Sequence, residues 1–326
     1  MEPFAASPIS WPTGHEAVRR RLLHQLDSGK IPHAQLFAGP SGIGKRSYAR
    51  AFARRLLDPT GIGGVSDLIE MEPEGKTDRY TIGALDHVRE QAALTPMRGS
   101  WKVYILDDVE RMGEAAAASL LKMLEEPPSG TVFLLISGAP HRVLPTIVSR
   151  CHVMLFDALS SDEITSILVQ RGWKPEQASD WGRRSRGSVS AALRRANQIN
   201  HPQAKALLEI LQQLHQMPVS QMTQAFLPLD QERQRNELEP HDQRLFLLDM
   251  IMTISEWARD HQCLRMGQTQ DLCYPQHQAV LQQQIGLGVA SWNDVEKSVQ
   301  MSIQALDRLV KPSVILTGLL LRLRAP

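Results

Sequence analysis

The segment Gly39-Pro40-Ser41-Gly42-Ile43-Gly44-Lys45-Arg46 restricts what this chain can fold into more than any other. It follows a short apolar strand candidate, Gln35-Leu36-Phe37-Ala38, and opens a helical pattern that runs from about Lys45 to Leu57. It matches the phosphate-loop pattern G-x-x-x-x-G-K-[ST] up to its last position. Gly39, Gly42 and Gly44 let the backbone fold tightly, so that its N–H groups face phosphate oxygens at a helix N-terminus whose dipole favours anions. Lys45 then reaches the outer phosphates. The last position ordinarily supplies a hydroxyl that holds magnesium; here it is Arg46, which cannot coordinate a cation. Ser47 comes one residue late, roughly 100° around the helix, and is a poor substitute. The competing reading is a glycine-rich turn that only caps a helix; the strand before, the helix after and the lysine argue against it. The expectation is a site for ATP or ADP on Gly39, Gly42, Gly44, Lys45 and Arg46, with magnesium placement compromised.

The same rhythm continues downstream. Trp101 to Leu106 and Thr131 to Ile136 are apolar and β-rich, and the alanine- and leucine-rich stretch Glu114 to Glu126 reads as a helix stopped by Pro127-Pro128. Strand, helix, strand, with the strands apolar throughout, predicts a parallel sheet covered on both faces. After about Asp157 the strands stop. Ser160-Ser161-Asp162-Glu163 is a helix start, a serine cap with acids in the first turn. Helical segments then run to about Ala196, with a break at Gly187, and Asn197 to Pro202 reads as a linker. Beyond it Ala206, Leu207, Ile210, Leu211 and Leu214 keep a 3.6-residue period. Pro218, Leu227-Pro228 and Glu239-Pro240 are expected to interrupt the helices that follow. The expected domains are 1–158 (α/β, nucleotide-binding type), 159–198 (a small helical subdomain) and 203–326 (all-α). The many glutamines are dispersed and read as solvated helix surface.

Asp107-Asp108-Val109-Glu110 closes the second apolar strand. An aspartate at the carboxyl end of a parallel strand, near a phosphate loop, can orient magnesium through water. The residue after it would polarise the attacking water; Asp108 stands where a glutamate is usual and is one methylene shorter. Two acids after a strand are also simply a turn, and only the upstream loop favours the catalytic reading. Both Arg46 and Asp108 damage hydrolysis more than binding.

Composition bounds the rest. With 326 residues, 42% hydrophobic and 22% charged, the chain has the balance of an ordinary globular protein and room for two or three cores. A net charge of +1 gives it no overall attraction to nucleic acid, so any work on DNA passes through a local patch or through partners. Cys151, Cys263 and Cys273 fall at no ligand spacing, and the odd number fits a reducing cytoplasm. The start Met1-Glu2-Pro3-Phe4 has no signal-peptide character, and Val314 to Leu323 is too short to span a bilayer. A cytoplasmic protein with no membrane partner is expected.

Leu120-Leu121-Lys122-Met123-Leu124-Glu125-Glu126-Pro127-Pro128, followed by Ser149-Arg150-Cys151 and preceded by Pro32-His33-Ala34, resembles the bacterial clamp-loader AAA+ subunits. Those subunits carry an L-L-K-x-L-E-E-P-P helix end and an S-R-C motif at nearly this separation. The resemblance is strong over 15–195 and thinner beyond, where Pro312-Ser313 to Leu323 is similar to the family's last collar helix. It implies an AAA+ fold with a RecA-like parallel sheet, a small helical lid and an all-α C-terminal collar. It also implies a ring of gamma/tau motor subunits, delta and delta-prime that loads a sliding clamp onto primed DNA for a polymerase holoenzyme. The chain itself would not be a polymerase. Arg150 would be an arginine finger inserted into a neighbour's ATP site, a role that suits a permanently charged, planar guanidinium. Without its flanking motif Arg150 reads as a surface arginine after a turn.

Departures from the family's motor pattern point to its delta-prime, or stator, branch, with little or no hydrolysis. Arg46 and Asp108 are two of them. The third is Gly187-Ser188-Val189-Ser190, where Ser190 replaces a sensor arginine and Arg194 and Arg195 lie a turn later. The long C-terminal extension of one motor form is not present in the sequence. Many relatives hold a four-cysteine zinc module after the phosphate-loop helix; residues 56–80 contain no cysteine, so no zinc or other metal ligand set is expected. Two rival readings remain: a gamma/tau-type motor subunit whose turnover depends on Lys45 and Asp107, and a nucleic-acid-binding adaptor using Arg183, Arg184, Arg186, Arg194 and Arg195.

Overall fold

Strands that are apolar on both faces must be covered on both, and a computed structural model of the chain has that arrangement. It describes residues 10–59, 66–73, 79–185, 187–198, 201–235, 240–270, 272–308 and 310–324, which divide into two compact units, 1–192 and 193–326.

In the first unit, β1 (Ala34–Ala38), β2 (Leu68–Met71), β3 (Lys102–Leu106), β4 (Thr131–Ser137) and β5 (His152–Leu155) form one sheet in the order β2-β3-β4-β1-β5, every pair parallel. Its helices are α1 (Glu16–Ser28), α2 (Lys45–Leu57), α3 (Ile82–Ala92), α4 (Glu114–Glu125), α5 (Pro145–Val148), α6 (Ser161–Gln170), α7 (Pro175–Arg184) and the start of α8 (Val189–Gln198). The central strands β1, β3 and β4 are buried along their whole length. Their side chains alternate between two cores, as the strand's two-residue period requires. Leu36, Tyr104, Leu106, Phe133 and Leu135 join Leu85 of α3 with Leu120 and Leu124 of α4. Phe37, Val103, Ile105, Val132 and Leu134 join Leu22 of α1 with Tyr48 and Phe52 of α2.

Two strands carry no recognisable run in the sequence. β2 and β5 are four residues each and lie at the sheet's edges, β2 half-buried throughout and β5 exposed at three of its four positions. An edge strand needs neither length nor unbroken apolarity, because half of its surface is solvated. The helix start at Ser160 forms a full capping box: the Glu163 amide donates to Ser160 Oγ (3.2 Å), and the Ser160 amide donates to Glu163 Oε2 (2.8 Å).

The second unit is helical: α9 (Pro202–Gln212), α10 (Val219–Arg235), α11 (Pro240–Arg265), α12 (Gln278–Leu287), α13 (Trp292–Asp307) and α14 (Pro312–Arg324). Trp257 of α11 is fully buried at its core. The break expected at Leu227-Pro228 does not occur, because α10 continues through Pro228. Phe226 and Leu229 on either side are buried, and α10 packs along α14. Asp230 fastens the two helices, accepting from the Ser313 amide (3.0 Å) and hydroxyl (2.6 Å) at the start of α14. That packing carries the helix past one missing N–H. Glu239 lies outside the described residues, and a helix begins at Pro240. Among the described residues no helix is long and apolar enough to cross a membrane.

One buried carboxylate organises the turn after α11. Asp260, with no exposure, accepts from the Cys273 amide (2.9 Å) and the Tyr274 amide (2.8 Å). Replacing it with alanine strands both donors, so Asp260→Ala is expected to destabilise the helical unit by about 2–4 kcal/mol. Urea unfolding followed by circular dichroism checks this; a loss below about 1 kcal/mol would mean that the turn finds other acceptors.

Candidate phosphate-binding edge and exposed arginine

A parallel sheet gathers the carboxyl ends of its strands at one edge. Gly39 follows β1 there, Asp107 follows β3 and Gly138 follows β4. Gly39 is required by close approach: a Cβ on it would lie 2.1 Å from the carbonyl oxygen of Phe156. Gly42 has φ +77°, and a Cβ there would come within 2.2 Å of Ser188 Oγ and 2.9 Å of Ser190 Cβ. Gly44 caps α2, whose first residue is Lys45. His15, which the sequence did not single out, braces the loop through a hydrogen bond between its Nε2 and the Ile43 carbonyl (2.9 Å) and an edge contact with Phe156.

Lys45 is 5% exposed and donates to the carbonyls of Gly39 (2.7 Å) and Pro40 (2.5 Å). Burial lowers its pKa to about 8, against the attraction of Asp107, Glu110 and Asp108. The ammonium is thus held inside the loop that would surround a phosphate, at the point where α2 presents its first amides.

Arg46 enters an ion-pair cluster. It donates to Glu72 Oε2 (2.6 Å) and to Glu70 Oε2 from Nε (3.3 Å) and a terminal nitrogen (3.2 Å), and it lies 3.6 Å from Asp107 Oδ2. Arg50, one turn along α2, also pairs with Glu70 at 2.7 Å. Burial opposes the charge on Arg46, but the bond to Glu72 and the nearby Asp107 hold its pKa above the ordinary value. Glu70 sits on β2 and Glu72 just beyond it. Neither was legible as a site residue, because the strand that places them was not. Ser47 is exposed.

Asp107 is pushed up to about 6, by burial first and then by Asp108, with Arg46 acting against the shift. Tyr80 pins the strand ends here, its hydroxyl donating to the carbonyls of Asp107 and Met71. Asp108 takes a left-handed conformation (φ 47°), and its amide donates to Asp107 Oδ1 (3.0 Å). Glu110, quoted in the acidic motif but given no role, accepts from the amides of Gly138 (2.9 Å) and Ala139 (3.0 Å), joining the ends of β3 and β4. Among the described residues no group of three or more His, Cys, Asp or Glu could hold a metal ion.

Arg150 lies elsewhere. It precedes β5, whose His152 pairs with Gln35 near the start of β1. Gly39 is four residues further along β1, so on the order of 13 Å of strand separates that level from the phosphate loop. Its guanidinium pairs with Glu125 (2.6 Å) and donates to the Thr146 carbonyl (3.1 Å). Both partners of the ion pair are open to solvent, the arginine 37% and the glutamate 50% exposed. Glu125 belongs to the Leu120–Pro128 motif, so the two segments that carry the family resemblance meet here. The structure thus brings Gly39, Gly42, Gly44, Lys45, Arg46, Asp107 and Asp108 to one edge and leaves Arg150 at the other.

Three more of the arginines singled out in the sequence are paired. Arg183 and Arg184 both approach Asp180 (3.4 and 3.3 Å), and Arg184 also lies over the Trp181 ring. Within the second unit Arg194 pairs with Asp249 (2.8 Å). Arg186 and the Arg195 side chain lie outside the described residues.

The family described as "DNA polymerase III, delta subunit" matches residues 14–160. DNA polymerase III subunit delta' of Bacillus subtilis is 26% identical over 287 residues, 82% of this chain and 83% of that one. DNA polymerase III subunit tau of Escherichia coli is 36% identical over 168 residues, and subunit gamma/tau of Mycobacterium tuberculosis 33% over 172. These cover 46% and 48% of this chain but only 26% and 30% of those longer proteins. A solved structure of a DNA polymerase III gamma subunit-related protein from Thermotoga maritima overlaps 92% of the chain with 18% identity and a TM-score of 0.48. Over residues 14–160 the chain thus matches the clamp-loader family of DNA polymerase III subunits, and its likeness to subunit delta' extends over most of its length.

Proposed function

We propose that the chain is a delta-prime, or stator, subunit: it donates Arg150 to the ATP site of a neighbouring subunit and hydrolyses little or no nucleotide itself. The observation that carries this reading is the separation of Arg150 from the chain's own phosphate loop by the length of a strand. A guanidinium on that edge serves only a site presented by another molecule. Its pair with Glu125 is exposed, and such pairs contribute at most about 1 kcal/mol, so a phosphate, which makes charge-assisted bonds of the same kind and carries more charge, can displace the glutamate. The partners are gamma/tau motor subunits and delta, with the sliding clamp and primed DNA reached through the complex.

The matches to gamma and tau chains, of higher identity over the first half, favour a motor-subunit reading. Against it stands Arg46, which puts a cation among Glu70, Glu72 and Asp107 where turnover needs a magnesium-holding hydroxyl. The adaptor reading needs exposed arginines, but Arg184 is mostly covered and Arg194 is held by the buried Asp249, which leaves Arg183 with a weak, exposed pair to Asp180.

Two experiments test the stator reading and the site's condition. In a reconstituted loader, Arg150→Ala is expected to reduce turnover at the neighbouring site on the order of 10³-fold, with assembly intact by size-exclusion chromatography. Unchanged clamp- and DNA-stimulated turnover would sink the assignment. The second concerns Asp107, whose folded pKa of about 6 lies above its ordinary 3.8. The folded chain therefore keeps a proton that the unfolded chain has lost, and stability falls as pH rises between those values. The ionised carboxylate costs the fold about 3 kcal/mol at neutral pH. Asp107→Asn should raise the melting temperature near pH 7, and the gain should shrink towards pH 4. An equal gain at both pH values would show that ionisation is not its source.

A further inference from the structure

The family's chemistry implies a magnesium ion between the phosphate loop and Asp107, and the residues at that place do not fit one. Magnesium takes compact oxygen ligands in an octahedron at about 2.1 Å. Position 46 offers a guanidinium instead, which has five donors and no lone pair. Nor can Arg46 readily swing aside. Two of its nitrogens are bonded to Glu70 and a third to Glu72, and the same nitrogen that meets Glu72 lies 3.6 Å from Asp107 Oδ2. Glu70 is itself fixed from the other side by Arg50, at 2.7 Å from both guanidinium donors. A divalent cation beside Asp107 would have to sit against this anchored positive charge.

Magnesium at such a site offsets the charge of the strand-end aspartate and draws in phosphate oxygens. Arg46 already faces the aspartate, and it stands at the second position of α2, beside the amides that point at a phosphate. An arginine anchored there presents a permanent positive charge at the edge of the loop, where phosphate oxygens would lie. Glu110 takes the Gly138 and Ala139 amides on Oε1, while its Oε2 is buried without a hydrogen-bond partner and faces the same positive charges of Lys45 and the loop.

We propose that this site takes a nucleoside di- or triphosphate without a divalent cation, the Arg46 guanidinium standing in the magnesium's place. The inference rests on reading Gly39–Arg46 as a phosphate loop, and it deepens the stator assignment: a nucleotide held in this way stabilises the fold and is not turned over.

The test is equilibrium binding of ATP and ADP to the full chain by titration calorimetry, once with saturating magnesium and once with EDTA. Electron paramagnetic resonance of manganese is run on the nucleotide-loaded protein. The wild type is expected to bind with dissociation constants that agree within about twofold in the two conditions, and to immobilise no manganese. Arg46→Thr, which restores a hydroxyl at that position, should bind about tenfold more tightly with magnesium than with EDTA and should show a bound manganese signal. Arg46→Lys keeps the charge without the fork and should still bind in EDTA, which keeps the test decisive if the threonine variant melts early. Magnesium-dependent binding by the wild type, or manganese bound to it, overturns the inference and leaves the phosphate-loop reading standing. No nucleotide binding in either condition overturns both, while the role of Arg150 is decided separately by the loader assay.

Discussion

The parallel alignment of five strands is the constraint on which the rest of the first unit depends. Because β1, β3 and β4 are buried on both faces, helices must cross over between them, and every strand runs the same way. All the carboxyl ends then share one edge and all the amino ends the other. The phosphate loop and the acidic motif are neighbours for that reason, although 67 residues of sequence stand between Gly39 and Asp107. For the same reason Arg150, which enters β5, stands away from them. A single topological fact thus gathers the phosphate-loop motif and the strand-end acids at one edge and leaves Arg150 at the other.

How far this was legible from the sequence varies with the physical origin of each feature. β1, β3 and β4 are mostly apolar runs because they are central, with Gln35, Lys102, Thr131 and Ser137 as their buried polar members, and α2 and α4 were readable because a glycine loop starts one and a proline pair stops the other. β2 and β5 were not readable, since at a sheet edge four residues with mixed exposure suffice. That omission also hid the partners of Arg46, because Glu70 and Glu72 have no local signature and are brought to the loop only by the pairing of β2 with β3. Pro228 misled in the opposite direction: a local helix breaker was overridden by the buried neighbours Phe226 and Leu229. The positions of the phosphate-loop residues, the strand-end acids and Arg150 were all indicated by motifs, whereas their electrostatic condition was not. That Lys45 is drawn into its own loop and that Asp107 resists ionisation are properties of burial, which no motif spells out.

The departures at Arg46 and Ser190 are coupled by geometry. The Ser190 amide donates to the Gly42 carbonyl (3.0 Å), so the start of α8 rests on the phosphate loop through the backbone. With a side chain at Gly42 barred by Ser188 and Ser190, the helix can approach the loop closely. Neither that contact nor the cluster around Arg46 uses a group that a nucleotide or a metal would supply. A sensor arginine at position 190 would tie the helical segment to a phosphate, and its position would then follow the phosphate's state. A serine that meets the loop directly ties it to the protein instead. Both substitutions replace a ligand-dependent interaction with one made by the chain itself, and they do so on adjacent sides of the same loop. A chain built in this way fits the proposed stator role, in which Arg150 needs a support whose shape does not depend on its own nucleotide.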